Sequence, residues 1–505
     1  MSTECSLLIT FPKLPMTRLR TLVLVSIVFL FAATTGAQSR SNVERLKLKW
    51  AFGIPGATEG STQPTVSGGH VFIGTQDGTV YSLNAESGGI EWTYKAPVSV
   101  RAPVVVDPNS ATAFFGDMQS NMYAVDANTG KLKWKNRIGD HPYASIAGAP
   151  KLEGDRLYVP LSGGNEELAA AFPQYACCTF RGSIVALDAE SGRRIWRTYT
   201  IADPPKVTGR NLGSTEQWGP SGASVWSSPT LDTANRIIYV ATGVNYSPPA
   251  TSTSDAVLAL DMDSGRILWT TQFTANDRFN FACVVVHESE QEADTNCPTP
   301  PGQNFDLGAS PILASSPNGR RTLIAADKSG VVHALDPKNG KVLWDTRIAS
   351  GGLMGGILWG GASDERGLVY FPVSDWNVAK PESGGGVVAL RIDNGAKVWT
   401  KPAPKPTCLG VAGCSAAQPG PAIVVPGVVF AGSLDGHLRA YDSVEGRIIW
   451  DFDTLQDFQT VNGVKARGGS ITRSGPTVAG GSLYVTAGYS RMPAIPGNVL
   501  LAFSQ

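Results

Sequence analysis

The stretch Met122-Tyr-Ala-Val-Asp126-Ala-Asn-Thr-Gly130-Lys-Leu-Lys-Trp134 shows a pattern that recurs along the whole chain. An apolar run leads to an Asp, then to a small polar residue and Gly, and a Trp follows four residues after the Gly. This order predicts two strands joined by a tight turn, in which the Asp caps the turn and the Gly takes the positive-φ position. Seven full copies end at Trp92, Trp134, Trp196, Trp269, Trp344, Trp399 and Trp450.

Two further short strands precede each copy, as 64–66 and 71–73 do ahead of the first. Four strands per repeat is the organisation of a β-propeller blade. Trp50 ends a fourth strand that has no partner before it, and 499–503 matches a third strand that lacks its fourth. We therefore predict an all-β, eight-bladed propeller of four-stranded antiparallel blades, closed by the N-terminal strand so that both sheet edges are hidden.

The composition fits this fold and excludes one class of partner. Of 505 residues, 42% are hydrophobic and only 17% are charged, with 56 Gly and 34 Pro to form turns. Basic and acidic residues balance to a formal net charge of zero. Such a chain has no electrostatic footprint for nucleic acid.

The N-terminal stretch has the layout of a secretory signal. Arg18 and Arg20 precede an uncharged run, 21–33, and small residues follow at 35–37. The run is shorter than the ~20 residues that span a bilayer, although a retained anchor is the alternative. We predict a signal peptide at 1–37 and a periplasmic or secreted propeller domain at 38–505, with no membrane span in the mature chain.

Export changes how the cysteines are interpreted. Once Cys5 is removed, six cysteines allow fifteen pairings, and their spacing favours the local pairs 177–178, 283–297 and 408–414. An oxidising compartment permits all three, whereas two unbonded buried thiols are the alternative at 177–178. No Cys-x-x-Cys-His motif for covalent haem occurs.

Long insertions fall on one face of the predicted propeller, at 162–180, 245–254 and 274–307. They bring oxygen-bearing side chains to one mouth of the channel, where a hard cation such as calcium would bind unless the carboxylates are simply solvated. Trp226 is expected to begin the inner strand of blade four, and Lys328 to lie in the corresponding turn of blade five. The oxygen-bearing residues of the insertions are Glu166, Glu167, Asn245, Asp277, Asn280 and Asp306.

Four stretches resemble the quinoprotein alcohol dehydrogenases that bind pyrroloquinoline quinone (PQQ), particularly the polyvinyl alcohol dehydrogenase branch. They are 175–182, 217–226, 241–247 and 327–330, and the resemblance extends from about residue 46 to the end. It implies a vicinal disulfide, Cys177–Cys178, on one side of the quinone and Trp226 stacked on the other. Lys328 matches a cation near the reactive carbonyl, and Arg181 matches an arginine beside the calcium-binding Glu.

The resemblance also implies a calcium ion held by Glu166 or Glu167 together with Asn245, although an extra residue at 244 shifts the Asn245 alignment by one. Family members commonly carry an Asp directly after an aromatic residue as general base. In the stretch aligned here, Asn280 stands at that position and cannot accept a proton. Asp277, which we also expect at the metal, is the preferred base, and Asp306 in the same loop is the other candidate.

These residues together imply alcohol oxidation, with PQQ and calcium as cofactors and a polymeric secondary alcohol as one possible substrate. Electrons would pass to a separate acceptor, such as a periplasmic cytochrome c, because no haem motif is present. Two alternatives stay open. One is a non-enzymatic scaffold like the propeller lipoprotein of outer-membrane assembly, and the other is a family member that has lost activity.

Overall fold

Eight four-stranded antiparallel sheets, one per repeat, form the framework of the computed structural model, which describes residues 40–60, 62–284, 295–490 and 493–505. The first strands of neighbouring blades contact one another, so they form the inner ring around the channel. The predicted eight-bladed propeller is confirmed. The predicted signal segment, 1–37, lies outside the described residues.

The first four blades follow the chain in order. Blade one comprises Thr65–Ser67, His70–Gly74, Thr79–Asn84 and Ile90–Lys95. Blade two comprises Val105–Asp107, Thr112–Gly116, Asn121–Asp126 and Leu132–Arg137. Blade three comprises Lys151–Glu153, Arg156–Leu161, Ser183–Asp188 and Arg194–Tyr199. Blade four comprises Thr230–Asp232, Ile237–Ala241, Ala256–Asp261 and Ile267–Gln272.

The remaining blades complete the ring. Blade five comprises Ile312–Ser315, Arg321–Ala326, Val331–Leu335 and Val342–Arg347. Blade six comprises Ala362–Ser363, Leu368–Pro372, Val387–Arg391 and Lys397–Lys401. Blade seven comprises Ile423–Val425, Val428–Gly432, His437–Asp442 and Ile448–Asp453. Blade eight comprises Thr477–Ala479, Ser482–Ala487, Val499–Ser504 and the N-terminal strand Lys47–Gly53.

The N-terminal strand closes the ring as predicted. Lys47–Gly53 pairs antiparallel with Val499–Ser504, so that the outer strand of blade eight comes from the other end of the domain. The indole N–H of Trp450 in blade seven donates to the carbonyl of Leu46 at 3.2 Å. Blade eight therefore accepts an indole N–H hydrogen bond from blade seven, as blade two accepts one from Trp92 of blade one.

The hydrophobic core is divided among the interfaces between blades. Each pair of neighbouring blades encloses its own cluster of buried apolar side chains, and the cluster between blades eight and one includes Phe52, Ile73 and Leu500. Strands two and three are buried on both faces because each sheet is covered on both sides. Stability therefore depends on contacts between blades, as in other repeat proteins.

The repeat tryptophan joins each blade to the next. In blade two, the Asp126 carboxylate accepts hydrogen bonds from the backbone N–H groups of Asn128 and Thr129 at 3.1 and 2.9 Å, which fixes the turn. Trp92 of blade one packs over that turn and donates its indole N–H to the carbonyl of Ala127 at 2.8 Å. Gly130 has φ of +71°, and a Cβ there would lie 2.7 Å from the Trp92 ring. Only glycine meets both demands.

Additional structure gathers in the loops that join strand two to strand three and one blade to the next. The described helices are Arg40–Val43 and Gly164–Ala169. The two-stranded pairs are Lys206–Arg210 with Glu216–Gly219, Ser221–Gly222 with Asn245–Ser247, and Asp457–Phe458 with Ala466–Arg467. The first of these pairs is an insertion between blades three and four that the sequence analysis did not single out.

Two further observations concern the placement of elements. Trp226 was expected to begin the inner strand of blade four, but that strand begins at Thr230, so this prediction is wrong by four residues. Trp226 instead lies in the segment that leads into the strand, at the mouth.

Among the described residues, no helix is both long and apolar enough to cross a membrane.

Trp92→Ala should lower the free energy of unfolding by about 3–5 kcal/mol, because it removes a buried indole together with the bond that joins two blades. Urea denaturation of the purified chain measures this. Leu132→Ala is the matched control, since Leu132 is an exposed apolar residue of blade two and its loss should change stability by only about 0.5 kcal/mol. Equal effects of the two substitutions would contradict the role given to the tryptophan.

Candidate active site

A buried ion pair links blade five to the loop that precedes it. Lys328 lies between the second and third strands of blade five, as predicted, and its ammonium group binds a carboxylate oxygen of Asp306. The ammonium also donates to the side-chain oxygen of Asn304 at 3.1 Å. The second Asp306 oxygen accepts the backbone N–H of Val244 at 2.6 Å. A charge pair with its remaining donors and acceptors satisfied in this way can be buried.

The ring of Trp226 lies beneath this pair as a flat apolar surface. The Lys328 ammonium is 5.6 Å from the centroid of the Trp226 ring, within the range of a cation–π contact. Trp359 meets the Trp226 ring edge-to-face at 4.8 Å. Gly308 makes room for it, since a Cβ there would lie 1.8 Å from the ring. Trp226 also borders a cavity of about 430 Å³ on the channel axis, lined by residues of all eight blades.

Glu166 anchors the loop that carries the vicinal cysteines. Its carboxylate is fully buried, and one oxygen accepts the Tyr175 hydroxyl and the Thr179 backbone N–H, both at 2.8 Å. The other oxygen accepts the Phe180 backbone N–H at 2.8 Å. The structure therefore gives Glu166 a positioning role, because its oxygens already hold the chain on both sides of the cysteine pair.

The Cys177–Cys178 disulfide is buried in the insertion of blade three. The backbones of both cysteines pair with that of Trp218, and the Asn280 amide lies 4.0 Å from the Cys177 sulfur. Asn280 also donates to the carbonyls of Tyr246 and Asn296, both at 2.9 Å, so its side chain organises the loops around the disulfide. The pairs 283–297 and 408–414 are bonded as well, which confirms all three predicted pairings.

Glu167 differs from Glu166 in its electrostatic environment, because the Lys328–Asp306 pair changes the pKa of its half-buried carboxyl group. Burial raises the pKa of Glu167 to about 8, the Asp306 carboxylate adds to the rise, and Lys328 opposes it. The buried Tyr246 hydroxyl also has a raised pKa, through burial and the charge of Glu167. Glu167, Asp306 and Lys328 therefore form one electrostatic group.

Asp277 supports the loop that carries Asp306. One of its oxygens accepts the backbone N–H of Asn304 at 3.0 Å and the other accepts that of Phe305 at 2.8 Å. Burial raises the pKa of Asp277, those backbone N–H groups oppose the rise, and Asp306 adds to it. The carboxylate is close enough to sense the ion pair, but both of its oxygens are engaged in shaping the loop.

Asn245 and Arg181 have partners of their own away from the ion pair. The Asn245 amide donates to the carbonyl of Ser221 at 3.0 Å, and its oxygen accepts the Thr251 backbone N–H at 2.8 Å. The Arg181 guanidinium lies over the Tyr199 ring at 3.8 Å and donates to the carbonyl of Ala202 at 2.9 Å. Their predicted contacts with metal and cofactor stay predictions.

Asp255 belongs to the site, although the sequence analysis did not single it out. Its carboxyl group is fully buried, and neither oxygen accepts a hydrogen bond in the described structure. Burial raises its pKa well above the ordinary value, and Asp277 and Asp306 add to the rise. The sequence did contain an indication of its importance. Most copies of the repeat have glycine two residues ahead of the apolar run, and the fourth copy has Asp255 there instead.

The comparisons with known proteins identify the family through two relatives that match most of the chain. The family model described as "Outer membrane protein assembly factor BamB" matches residues 26–217, 180–290 and 383–505. A polyvinylalcohol dehydrogenase from Pseudomonas sp. is 40% identical over 483 residues, covering 92% of this chain and 73% of the relative. Another, from Sphingopyxis sp. (strain 113P3), is 38% identical over 484 residues with the same coverage. The chain belongs to the PQQ-dependent alcohol dehydrogenase family.

Membership of this dehydrogenase family confirms the predicted resemblance and the assignment to the oxidoreductases that act on alcohols. Among solved structures, the quinohemoprotein alcohol dehydrogenase ADHIIG from Pseudomonas putida HK5 superposes with a TM-score of 0.69 at 18% identity. The superposition covers 92% of this chain and 77% of that one. At this identity it shows the shared propeller fold.

The donors at the mouth suit the quinone and cation of the PQQ-dependent dehydrogenases by their chemistry. Trp226 offers a flat ring at the edge of a cavity, and Asp255 supplies two buried carboxylate oxygens without hydrogen-bond donors among the described residues. Within the described ranges, however, no three His, Cys, Asp or Glu side chains already converge on one point as a metal site. The fit therefore rests on the kinds of donor present.

Lys328→Met should lower the free energy of unfolding by about 3–5 kcal/mol, because it leaves the Asp306 carboxylate buried without its cation. Adding Asp306→Asn in the same chain should restore much of the loss. Urea denaturation of both single variants and the double variant gives the coupling energy. Additive effects would contradict a direct pair.

Proposed function

We propose that this chain is an exported quinoprotein dehydrogenase that oxidises alcohols with PQQ and calcium and passes electrons to a separate acceptor. The observation that carries the proposal is the buried Lys328–Asp306 pair over the Trp226 ring, beneath the insertions of blades three to five. Bound PQQ would supply the two-electron acceptor, and calcium would supply a Lewis acid beside it.

Asp306 is the best-placed general base. It directly follows the aromatic Phe305, which is the arrangement expected of the family's base and was sought at Asn280. Its carboxylate lies against the Lys328 ammonium, close to the Trp226 ring, where it would take the hydroxyl proton of a bound alcohol. Asp277 was preferred on sequence, but both of its oxygens accept backbone N–H groups of the Asp306 loop, whereas Asp306 accepts one backbone N–H, from Val244, and pairs with Lys328 through its other oxygen. We therefore assign Asp277 the positioning of that loop.

Trp226 and the Cys177–Cys178 disulfide are the proposed cofactor-binding surfaces. An indole ring suits a flat tricyclic ligand, and Gly308 and Trp359 fix its orientation. The disulfide is packed among apolar side chains of the insertions, an environment that excludes water. Lys328 would act a second time here, as a cation that stabilises negative charge on a bound ligand.

For the calcium site, Glu167 is a better ligand candidate than Glu166 or Asn245. Glu166 and Asn245 already accept hydrogen bonds from the backbone, whereas no described residue donates one to the Glu167 carboxylate. Carboxylate oxygens are the ligands that calcium prefers. A bound cation would also relieve the repulsion between Glu167 and Asp306 that raises the Glu167 pKa.

The proposed substrate class is secondary alcohols, including polymeric ones. Identity of 40% and 38% to two polyvinylalcohol dehydrogenases over 92% of the chain supports it. The insertions around the mouth also carry exposed apolar side chains, Leu168, Phe172 and Leu212, which could contact a carbon backbone. A cytochrome c is the proposed electron acceptor, and the compartment is the periplasm or the exterior.

The scaffold alternative is supported by the description of the family model. A scaffold, however, has no need of a buried lysine–carboxylate pair next to a carboxyl group without hydrogen bonds. The inactive-homologue alternative depended on Asn280, and it loses its main support because Asp306 supplies an acid after an aromatic residue. We therefore favour the dehydrogenase.

Asp306→Asn should lower kcat for a small secondary alcohol roughly 10²–10⁴-fold, since removal of a general base has that effect. The purified chain is loaded with PQQ and calcium, and dye reduction is followed. Asp277→Asn is the matched control, because it should lower thermal stability more than kcat. If Asp277→Asn abolished turnover in a folded protein while Asp306→Asn retained it, the assignment would be reversed.

A further inference from the structure

Asp255 is an unusual residue for its place in the repeat. Two residues ahead of the repeated apolar run, five of the seven full copies have glycine: Gly78, Gly182, Gly330, Gly385 and Gly436. Asp255 has φ of +48°, in the left-handed region that side chains other than glycine rarely adopt. The chain thus keeps an acidic side chain where its own pattern favours none.

The Asp255 carboxyl group is also unusual in its surroundings. It is fully buried, and neither of its oxygens accepts a hydrogen bond from a described residue. The adjacent Ser254 hydroxyl favours the charged form of Asp255, but its hydrogen bond goes to the carbonyl of Thr251 at 3.2 Å. Burial of a carboxylate without donors is costly unless a cation or a proton neutralises it.

The backbone of blade four brings Asp255 beside the ion pair. Its N–H donates to the carbonyl of Gly243 at 3.1 Å, and the next residue, Val244, donates its N–H to Asp306. A Cβ at Gly243 would lie 2.4 Å from an Asp306 oxygen, so the Asp306 carboxylate packs directly against this glycine. Asp255 and Asp306 therefore flank the same short stretch of chain.

Carboxyl groups outnumber the ammonium group around the Lys328–Asp306 pair. The Asp255 carboxyl interacts electrostatically with Asp277 and Asp306, Glu167 interacts with Asp306, and Lys328 is the cation that opposes both. Three carboxyl groups, those of Asp255, Asp306 and Glu167, thus share the Lys328 ammonium, and the Asp277 carboxyl lies close enough to raise the Asp255 pKa further. A divalent cation with oxygen ligands would restore the balance, and hard cations such as calcium take several carboxylate oxygens.

We propose that Asp255 is a ligand of the divalent cation at this site, supplying oxygens to which no described residue donates a hydrogen bond. The inference rests on the proposed function, because it takes the cation there to be the one that accompanies the quinone. It adds a ligand on blade four that replaces the predicted contribution of Asn245, whose amide is engaged elsewhere. It also explains why an acidic residue is kept at a strained position.

The test is calcium binding by the purified full chain after chelation, without quinone, measured by titration calorimetry and by the thermal midpoint. Asp255→Gly should weaken calcium affinity by at least about tenfold while keeping the fold, because glycine is the usual residue of the repeat here. Asp255→Asn, which keeps the shape of the side chain, should have the same effect. Ser120→Gly changes the equivalent position of blade two, where φ is +58°, and should leave affinity unchanged.

The outcomes separate this inference from the proposed function. Wild-type affinity in a folded Asp255→Gly chain would overturn the role of Asp255 and leave the dehydrogenase proposal intact. If the unmodified chain bound no calcium, the titration would be repeated with PQQ present. Absence of a calcium response there as well would overturn the ligand assignment, while a response to PQQ alone would still support a quinone site.

Discussion

Each repeat tryptophan packs against the next blade and donates its indole N–H to a backbone carbonyl close to where strands three and four of that blade meet, and the rest of the structure depends on this contact. The bond forms from Trp50 to Ala85, from Trp92 to Ala127, and so on around the ring to Trp450 and Leu46. The turn glycine is required because the ring lies where a side chain would be. Each blade is thereby held by its neighbours rather than by a shared core.

The contacts that join the blades lie on one face of the propeller, so the opposite face is available for the site. The tight turns and tryptophans lie where strand three meets strand four, whereas the insertions join strands two and three or link one blade to the next. Loops there can change length without disturbing the interfaces between blades. Blades three to five use that freedom to bury a lysine–carboxylate pair beside the Trp226 ring and, in the same insertions, several further carboxyl groups and a disulfide.

The fold could be predicted almost completely from the sequence, because the repeat encodes turn, strand and interface in the same few residues. The closing strand and the three disulfides also followed from spacing. The site was harder, since its members come from loops whose conformation no period constrains. Glu166 and Glu167 are adjacent, yet one is engaged by backbone donors and the other senses Asp306, and only the three-dimensional path of the loop separates them.

Two assignments illustrate where sequence reasoning was limited. On sequence Asp277 was preferred over Asp306 as base, and that choice stays a prediction; only the structure shows that the Asp277 oxygens accept the backbone N–H groups of Asn304 and Phe305, on which our proposal of Asp306 rests. Asp255 was not singled out, because it lies just outside the insertion 245–254 and belongs to no stretch that carries the family resemblance. A comparison of the copies position by position would have found it, since a non-glycine residue where glycine recurs is a physical signal.

Thermal unfolding of the purified chain with PQQ, with and without excess calcium and again with chelator, tests the central claim most directly. Ligand at one hundred times its dissociation constant adds about 2.7 kcal/mol to the free energy of unfolding, which gives a visible shift of the midpoint. The account predicts a rise with PQQ that is larger when calcium is present and smaller after chelation. No shift under any of these conditions would contradict a quinone site and favour a scaffold propeller.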